Sequence, residues 1–600
     1  MQIKTFLKQN IYLWFALVIV IILVCLPVFD TFYSIGAKWQ GVTPMFTGDS
    51  YYYYSRIKEV SDGNIFIGNP YFLEHSKEVA PAFFVADWIA AVPLLLGFSF
   101  TFTVIFNLIF WSVIFAWLFY LLLRQFNLPG PFCLLGTVLM YVEVYRLMFR
   151  PVSMQTVFPF FILFLLSFVI WHRNSSDKKA MVFLTLAMTA AFYIYTYLWQ
   201  IILVFVFLTI VYFYLIKDKK KAYNLLLAIL ISHLLSLPLI IYTIKQISHP
   251  YYWESMERIG LVYTHLPAAN VIYSGIWIIF ALLLLFFSYF WVKDLKNNQD
   301  YKNLFVFSAL SGIAMLIVSG SNIITGKELE NSQHIERFII VWLVIVFIGY
   351  LFHLVKNKIN FKQITIYKKI VLFILLLLCL AGVNRYLQTL TGGGYLLRAV
   401  NGGFSRSTSE EQDFLQPLNW LENNELEQKV VWVIPYNSPI NNYLNILTKH
   451  YSLYTVSGEN YLVSQKEIEE RYLTSRYFDN LKQVDIENNY WDYGGVGKAV
   501  HQYKTHNRKV KICKILHLNL LNYDCGQLTD AISYKGKEYF SGLYSQYQKE
   551  IVPNINQELK KFNVSYILLD RESAANFDLL KIKNIKKVYQ DQNFLIYKIL

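Results

Sequence analysis

The sequence predicts an α-helical polytopic membrane protein of about eleven transmembrane helices, followed by a C-terminal α/β domain on the outer side. Three observations predict it. First, the 600 residues are 56% hydrophobic and 18% aromatic but only 16% charged, where soluble domains carry roughly 25% charged residues. Second, the long apolar runs stop near residue 390, and 411–600 has a soluble composition rich in Asn, Tyr, Lys and Glu. Third, short basic loops recur between the runs, which is how cytoplasmic loops are marked. The net charge of +14 is therefore topology charge, and no nucleic-acid partner is expected.

A span needs about 20 apolar residues. The expected spans are 11–29, 104–123, 132–148, 155–171, 180–197, 199–216, 223–243, 271–292, 303–319, 337–355 and 370–388. The first follows a basic start without a small-residue cleavage site and reads as an uncleaved anchor. Segment 81–97 is apolar but short, carries Asp87, and is interrupted by Pro93 and Gly97. Counting it as a span would put Arg124 outside and invert every later basic loop, so it reads as an interfacial helix within a long outer loop, 30–103. The N-terminus is then cytoplasmic in a plasma (inner) membrane. Segments 149–154, 244–270 and 320–336 and the tail face outward. Domain limits follow: 1–390 transmembrane, 391–410 a glycine-rich linker, and 411–600 the outer domain.

In the tail, 429–434 and 564–569 read as buried strands, 587–589 and 594–597 as a closing hairpin, and 465–482 as a helix. Cys25, Cys133 and Cys379 are apolar fillers. Cys513 and Cys525 are free to pair if the tail meets an oxidising compartment.

Asp49 is the leading site residue. It follows the first span in Thr47-Gly48-Asp49-Ser50-Tyr51-Tyr52-Tyr53-Tyr54, within reach of the headgroup zone where a lipid-linked substrate presents its phosphate and sugar. Sugar transfer from a polyprenyl phosphate has a good leaving group. It needs a base for the acceptor proton and positive charge for the phosphate. Asp49 meets the first need and Arg56 offers the second. A Gly-Asp turn capping a helix that begins at Ser50 accounts for the same residues.

Gly48-Asp49-Ser50 through Arg56-Ile57, then Gly63, Asn69-Pro70-Tyr71 and the Pro81-containing interfacial segment, resemble the first outer loop of the GT-C superfamily. These are polytopic glycosyltransferases that use polyprenyl-linked sugars, among them oligosaccharyltransferases, protein O-mannosyltransferases and aminoarabinose transferases. The resemblance implies a GT-C-like fold, a catalytic role for Asp49, a lipid-linked sugar donor, and a protein, lipid or glycan acceptor. It also implies a possible second acid or metal ligand at Glu143 and a divalent cation (Mg or Mn) as a candidate cofactor. An acid within a span is costly and functional by default, although Glu143 also has Arg146 and Arg150 as local partners. Arg150 with Ser153 and Gln155, and His334 with Arg337, are phosphate-site candidates, since arginine clamps phosphate bidentately. Headgroup anchoring explains each of them singly. Glu74 and His75 are candidates for acceptor or metal binding. Tyr193, Tyr195, Tyr197 and Trp199 read as an aromatic belt, and 244–270 as a gating segment. Tyr490-Trp491-Asp492 departs at Tyr490 from the Trp-Trp-Asp motif that reads acceptors in oligosaccharyltransferases, which leaves the acceptor class open. Two other classes compete: a transporter or lipid flippase, with His233 as its main ionisable group, and a non-catalytic anchor presenting the tail.

Overall fold

The computed structural model describes residues 10–291, 299–356, 409–517, 520, 535–572 and 579–600. The expected span 370–388, the linker up to residue 408, Cys379 and Cys525 lie outside them. The first ten expected spans are helical where described, except at Tyr195, Ile216 and Ser236. Among the described residues seven helices are long and apolar enough to cross a membrane. The expected span 223–243 is instead two helices, Lys219–Leu235 and Leu237–Ile247, bent by 60°. The bend falls at Ser236, where Pro238 can begin a helix but cannot continue one. Lys178–Ile194, at 17 residues, is short for a span and packs between Ser153–Arg173 and Lys219–Leu235. Polar side chains start several of these helices. Ser99 accepts from the Phe102 amide at 3.2 Å, and Asp177 and Asp218 accept from the amides of Lys179 and Lys221.

The first loop folds as a helix, Ser50–Ser61, and a shorter interfacial helix than expected, Val85–Leu95. Its apolar end leaves Val92, Leu95, Leu96 and Phe98 exposed. At the opposite end of the bundle, Gln125, His172, Arg173, Lys221 and Lys302 share one cavity, so the basic loops gather on the face away from the tail.

Two short strands that the sequence did not suggest, β1 (Leu261–Tyr263) and β2 (Lys327–Leu329), pair antiparallel and join two late loops. In the tail, β3 (Val430–Ile434), β4 (Tyr451–Ser452), β5 (Val564–Asp570), β6 (Ile585–Gln590) and β7 (Phe594–Ile599) form a mixed sheet in the order β4-β3-β5-β7-β6. The β4, β3 and β5 strands are parallel, and β7 and β6 continue antiparallel. Every β3 residue is buried, because both faces are covered. Val431 and Val433 pack with Tyr566 and Leu568 into the core shared with the membrane helices, while Trp432 and Ile434 pack with Ile567 and Leu569 on the far side. Of the expected helix 465–482, Gln465–Ser475 forms, capped by Ser464. Asn480 then turns the chain at φ +48°.

The tail sits on the loops through polar ties. The Gln412 side chain accepts from the Gln40 and Val42 amides, both at 3.1 Å, and donates to the Val42 carbonyl at 3.0 Å. Ser452 N–H donates to the Tyr71 carbonyl. Buried Arg258 donates to the carbonyls of Glu459, Tyr461 and Val463 at 2.9, 3.0 and 2.6 Å. These contacts put 30–103, 244–270 and the tail at one end of the helical bundle. Cys513 is disulfide-bonded. Cys25 and Cys133 are free.

Candidate active site at the membrane boundary

The helix after Asp49 begins at Ser50 as expected, but Asp49 does not cap it. The Ser50 hydroxyl accepts from the Thr47 amide at 3.1 Å, within the turn that precedes the helix, and no side chain caps the helix. The Asp49 carboxylate is left 56% exposed, with Oδ2 2.7 Å from Nε of Arg150, whose side chain is 18% exposed. The Arg150 guanidinium also stands over the Tyr53 ring, 5.6 Å from its centroid. Nε–H does not point along the contact, so this is a close ion pair rather than an aligned hydrogen bond. Burial pushes the Arg150 guanidinium down, but Tyr53, Asp49, Tyr195 and Glu330 together more than offset it and keep it cationic.

Arg150 sits in the tight turn between helices Gly130–Met148 and Ser153–Arg173. Val152 holds that turn at φ +56°, a conformation a β-branched side chain seldom adopts and one that marks a constrained site. Ser153 and Gln155 are buried behind it. Glu143 is half-buried on Gly130–Met148, seven residues before Arg150 in sequence, and Arg146 is exposed.

The late loop completes the group. His334 opens helix Asn331–Lys356 and is stacked by Tyr197, with ring centroids 4.2 Å apart and planes 7° from parallel. His334 Nδ1 faces two groups, the Tyr195 hydroxyl and Arg337 Nη1, the latter at 3.3 Å. Because a guanidinium only donates, Nδ1 is the acceptor. The ring proton is then on Nε2, 3.3 Å from Glu330 Oε2. Tyr197 also donates to the Leu329 carbonyl at 2.6 Å. Asp49, Arg150, His334 and Arg337, far apart in sequence, thus converge with Tyr53, Tyr195, Tyr197 and Glu330 where helices end. Tyr195 and Tyr197 belong to this group rather than to a belt. The signal for them was the break at Tyr195 between helices Lys178–Ile194 and Thr196–Leu215.

Other expectations are corrected. Arg56 is not available to a phosphate. It is buried in a bidentate pair with Asp87 of the interfacial helix, Nε–Oδ1 3.1 Å and Nη2–Oδ2 2.6 Å, and donates to the Ala82 carbonyl. Glu74 and His75 are interdomain ties: Glu74 pairs with Arg471 at 2.7 Å, and His75 lies between Glu78 at 2.7 Å and Glu467 at 3.0 Å. Burial pushes His75 down, but the two carboxylates outweigh it and lift it to about 9. Among the described residues no group of three His, Cys, Asp or Glu side chains is placed to hold a metal ion. His233, which the transport reading relied on, is bonded to the Ile229 carbonyl of its own helix at 2.8 Å. Tyr490 and Tyr493 are core residues, and Asp492 accepts from the Tyr436 hydroxyl.

No protein-family model and no curated protein matches the chain. Among solved structures, it is similar to the Archaeoglobus fulgidus oligosaccharyltransferase in the apo form, with TM-score 0.45, 11% identity, and 93% of this chain and 70% of that chain covered. The same enzyme tethered to an acceptor peptide containing the NVT sequon gives 0.45, 10%, 95% and 70%. In complex with an inhibitory peptide and a dolichol-phosphate it gives 0.43, 10%, 94% and 70%. These three solved structures are all of archaeal oligosaccharyltransferase.

Proposed function

We propose that the chain is an integral-membrane glycosyltransferase of GT-C type that moves a sugar from a polyprenyl phosphate or pyrophosphate to an acceptor outside the membrane, with Asp49 as general base. One observation carries the reading. An exposed carboxylate that caps nothing stands beside a half-buried arginine at the helix ends, with a second arginine and a neutral histidine in the same group. A structural ion pair does not need a half-exposed carboxylate, whereas a base must be reachable.

The donor's phosphate takes the cations. Arg150 and Arg337 hold its oxygens, and His334, fixed by Tyr195, Tyr197 and Glu330, sets the position of Arg337. Phosphate on Arg150 competes with Asp49 and frees the carboxylate toward the acceptor. Asp49 then takes the acceptor's O–H or N–H proton. The acceptor atom forms a bond to the anomeric carbon as the bond from that carbon to the phosphate oxygen breaks. The electron pair leaves with the phosphate, and the anomeric centre inverts. Glu143 is proposed as a second acid. The segment 244–270 and the tail position the acceptor, and no step is routed through a metal.

The test is release of polyprenyl phosphate from a panel of polyprenyl-linked sugars by purified protein, wild type against Asp49→Asn. Release that needs Asp49 supports the reading and names the donor. Equal release by both forms would remove Asp49 as the base.

A further inference from the structure

We propose that the tail is seated on the membrane by a second contact: the exposed end of helix Val496–Ile515, together with the turn at Ile323–Ile324, rests on anionic lipid headgroups. The position comes from the spans. Candidate spans run from Tyr301 to Thr325 and from Ser332 to Phe352, so the last turn of the first, helix Asn322–Thr325 with Ile324 82% exposed, lies at the bilayer boundary. The tail helix is fastened to this boundary. Arg508 Nη1 donates to the carbonyl of Pro267, just before helix Ala269–Trp291, at 2.9 Å, and Nη2 is 3.8 Å from Glu328. His265 reaches the Ile323 carbonyl at 3.0 Å.

Beyond Arg508 the helix alternates lysines with large apolar residues. Lys509, Lys511 and Lys514 are exposed, and so are Ile512, Ile515 and Leu516. Thr505 to His517 contains no acid. A groove of about 620 Å³ opens beside them between the helix and the β1–β2 ribbon, with His265, Lys327 and Lys509 in its wall. Cations interleaved with exposed aliphatics suit an interface where apolar groups enter the acyl boundary and cations meet phosphates. On a solvent-facing helix these aliphatics would be a liability. Charge complementarity and continuity with the span ends both point to an anionic lipid surface as the occupant.

The test uses the full chain in nanodiscs of phosphatidylcholine, with and without phosphatidylglycerol, read by hydrogen exchange of 505–517 and 320–327. Exchange in both segments should slow when phosphatidylglycerol is present. The difference should vanish in high salt and in the triple variant Lys509→Glu, Lys511→Glu, Lys514→Glu, and shrink in Ile515→Ser/Leu516→Ser. Each lysine near an anionic surface contributes roughly fivefold, so the triple variant should erase the effect. Equal exchange in both lipids, or protection that survives the charge reversal, would overturn the proposal, the latter in favour of a protein partner or a second copy. The readout is independent of transfer activity.

Discussion

Arg56→Met should destabilise the outer loop far more than the double variant Arg56→Met/Asp87→Leu. Both side chains are nearly sealed from water, at 1% and 3% exposure, and two short contacts join them. Burial pushes the Asp87 carboxyl up and the Arg56 guanidinium pulls it back. Removing the arginine leaves an acid with no compensating charge and the Ala82 carbonyl without its 3.3 Å donor. Breaking one side of a buried pair costs about 3–5 kcal/mol, whereas replacing both sides with apolar groups of similar volume is near neutral. With Arg56→Met and Asp87→Leu each costing about 3–5 kcal/mol and the double near neutral, the double-mutant cycle should give a coupling energy of about 6–10 kcal/mol. Unfolding midpoints of the detergent-purified variants measure the cycle, with peptide-level hydrogen exchange over 50–61 and 85–95 locating the loss. If Arg56→Met left the midpoint unchanged and weakened donor binding instead, Arg56 would be a phosphate ligand and the structural assignment wrong. A double variant no better than the single would refute the desolvation argument.

Asp49→Asn should lower transfer at least about 100-fold, in the range for a lost general base, with an unchanged unfolding midpoint because the carboxylate is mostly exposed and caps nothing; paired kinetics and thermal melts check both halves. Arg258→Gln strips donors from three buried carbonyls and should cost about 2–4 kcal/mol, seen as faster hydrogen exchange in 456–464 and 252–259. The His75–Glu467 tie should loosen in alkali. His75 is raised from 6.5 to about 9, so its contribution is complete below pH 6.5 and lost as pH rises through about 9. Glu467 is lowered from 4.5 to about 2, because His75 and Arg471 outweigh its burial, so its contribution is complete above pH 4.5 and lost as pH falls through about 2. Limited proteolysis across 73–80 should be flat from pH 5 to 6.5 and rise toward pH 9 and above.

Seven of the expected spans were legible among the described residues because each must be long and apolar, and the tail strands because β-branched runs sit between polar stretches. Asp49, Arg150, His334 and Arg337 could be picked singly, since polar residues at helix ends are few. Their convergence could not be read, because it is set by how helices far apart in sequence pack. Arg56 was misread for a related reason. Its partner Asp87 lies 31 residues away, and each was noticed without the other. Glu74 and His75 looked like site residues until Arg471 and Glu467, nearly 400 positions later, claimed them. The β1–β2 ribbon has three residues per strand, too few to leave a pattern. The split at Ser236 was signalled by Pro238, but it falls inside an apolar run that still reads as one span.

The β1–β2 ladder ties the segment proposed to position the acceptor to the late loop. It pairs Leu261 with Leu329, one residue before Glu330, whose carboxylate meets His334. Tyr197 holds the same Leu329 carbonyl. The helix Tyr252–Ile259 therefore cannot swing alone. Lifting it would pull Leu329 and Glu330 with it and loosen the imidazole beside Arg337. On the function proposed above, opening that segment would undo the proposed phosphate seat. Admission of substrate and readiness for chemistry would then be mutually exclusive states of one hinge, and a phosphate holding Arg337 in place would also latch the door.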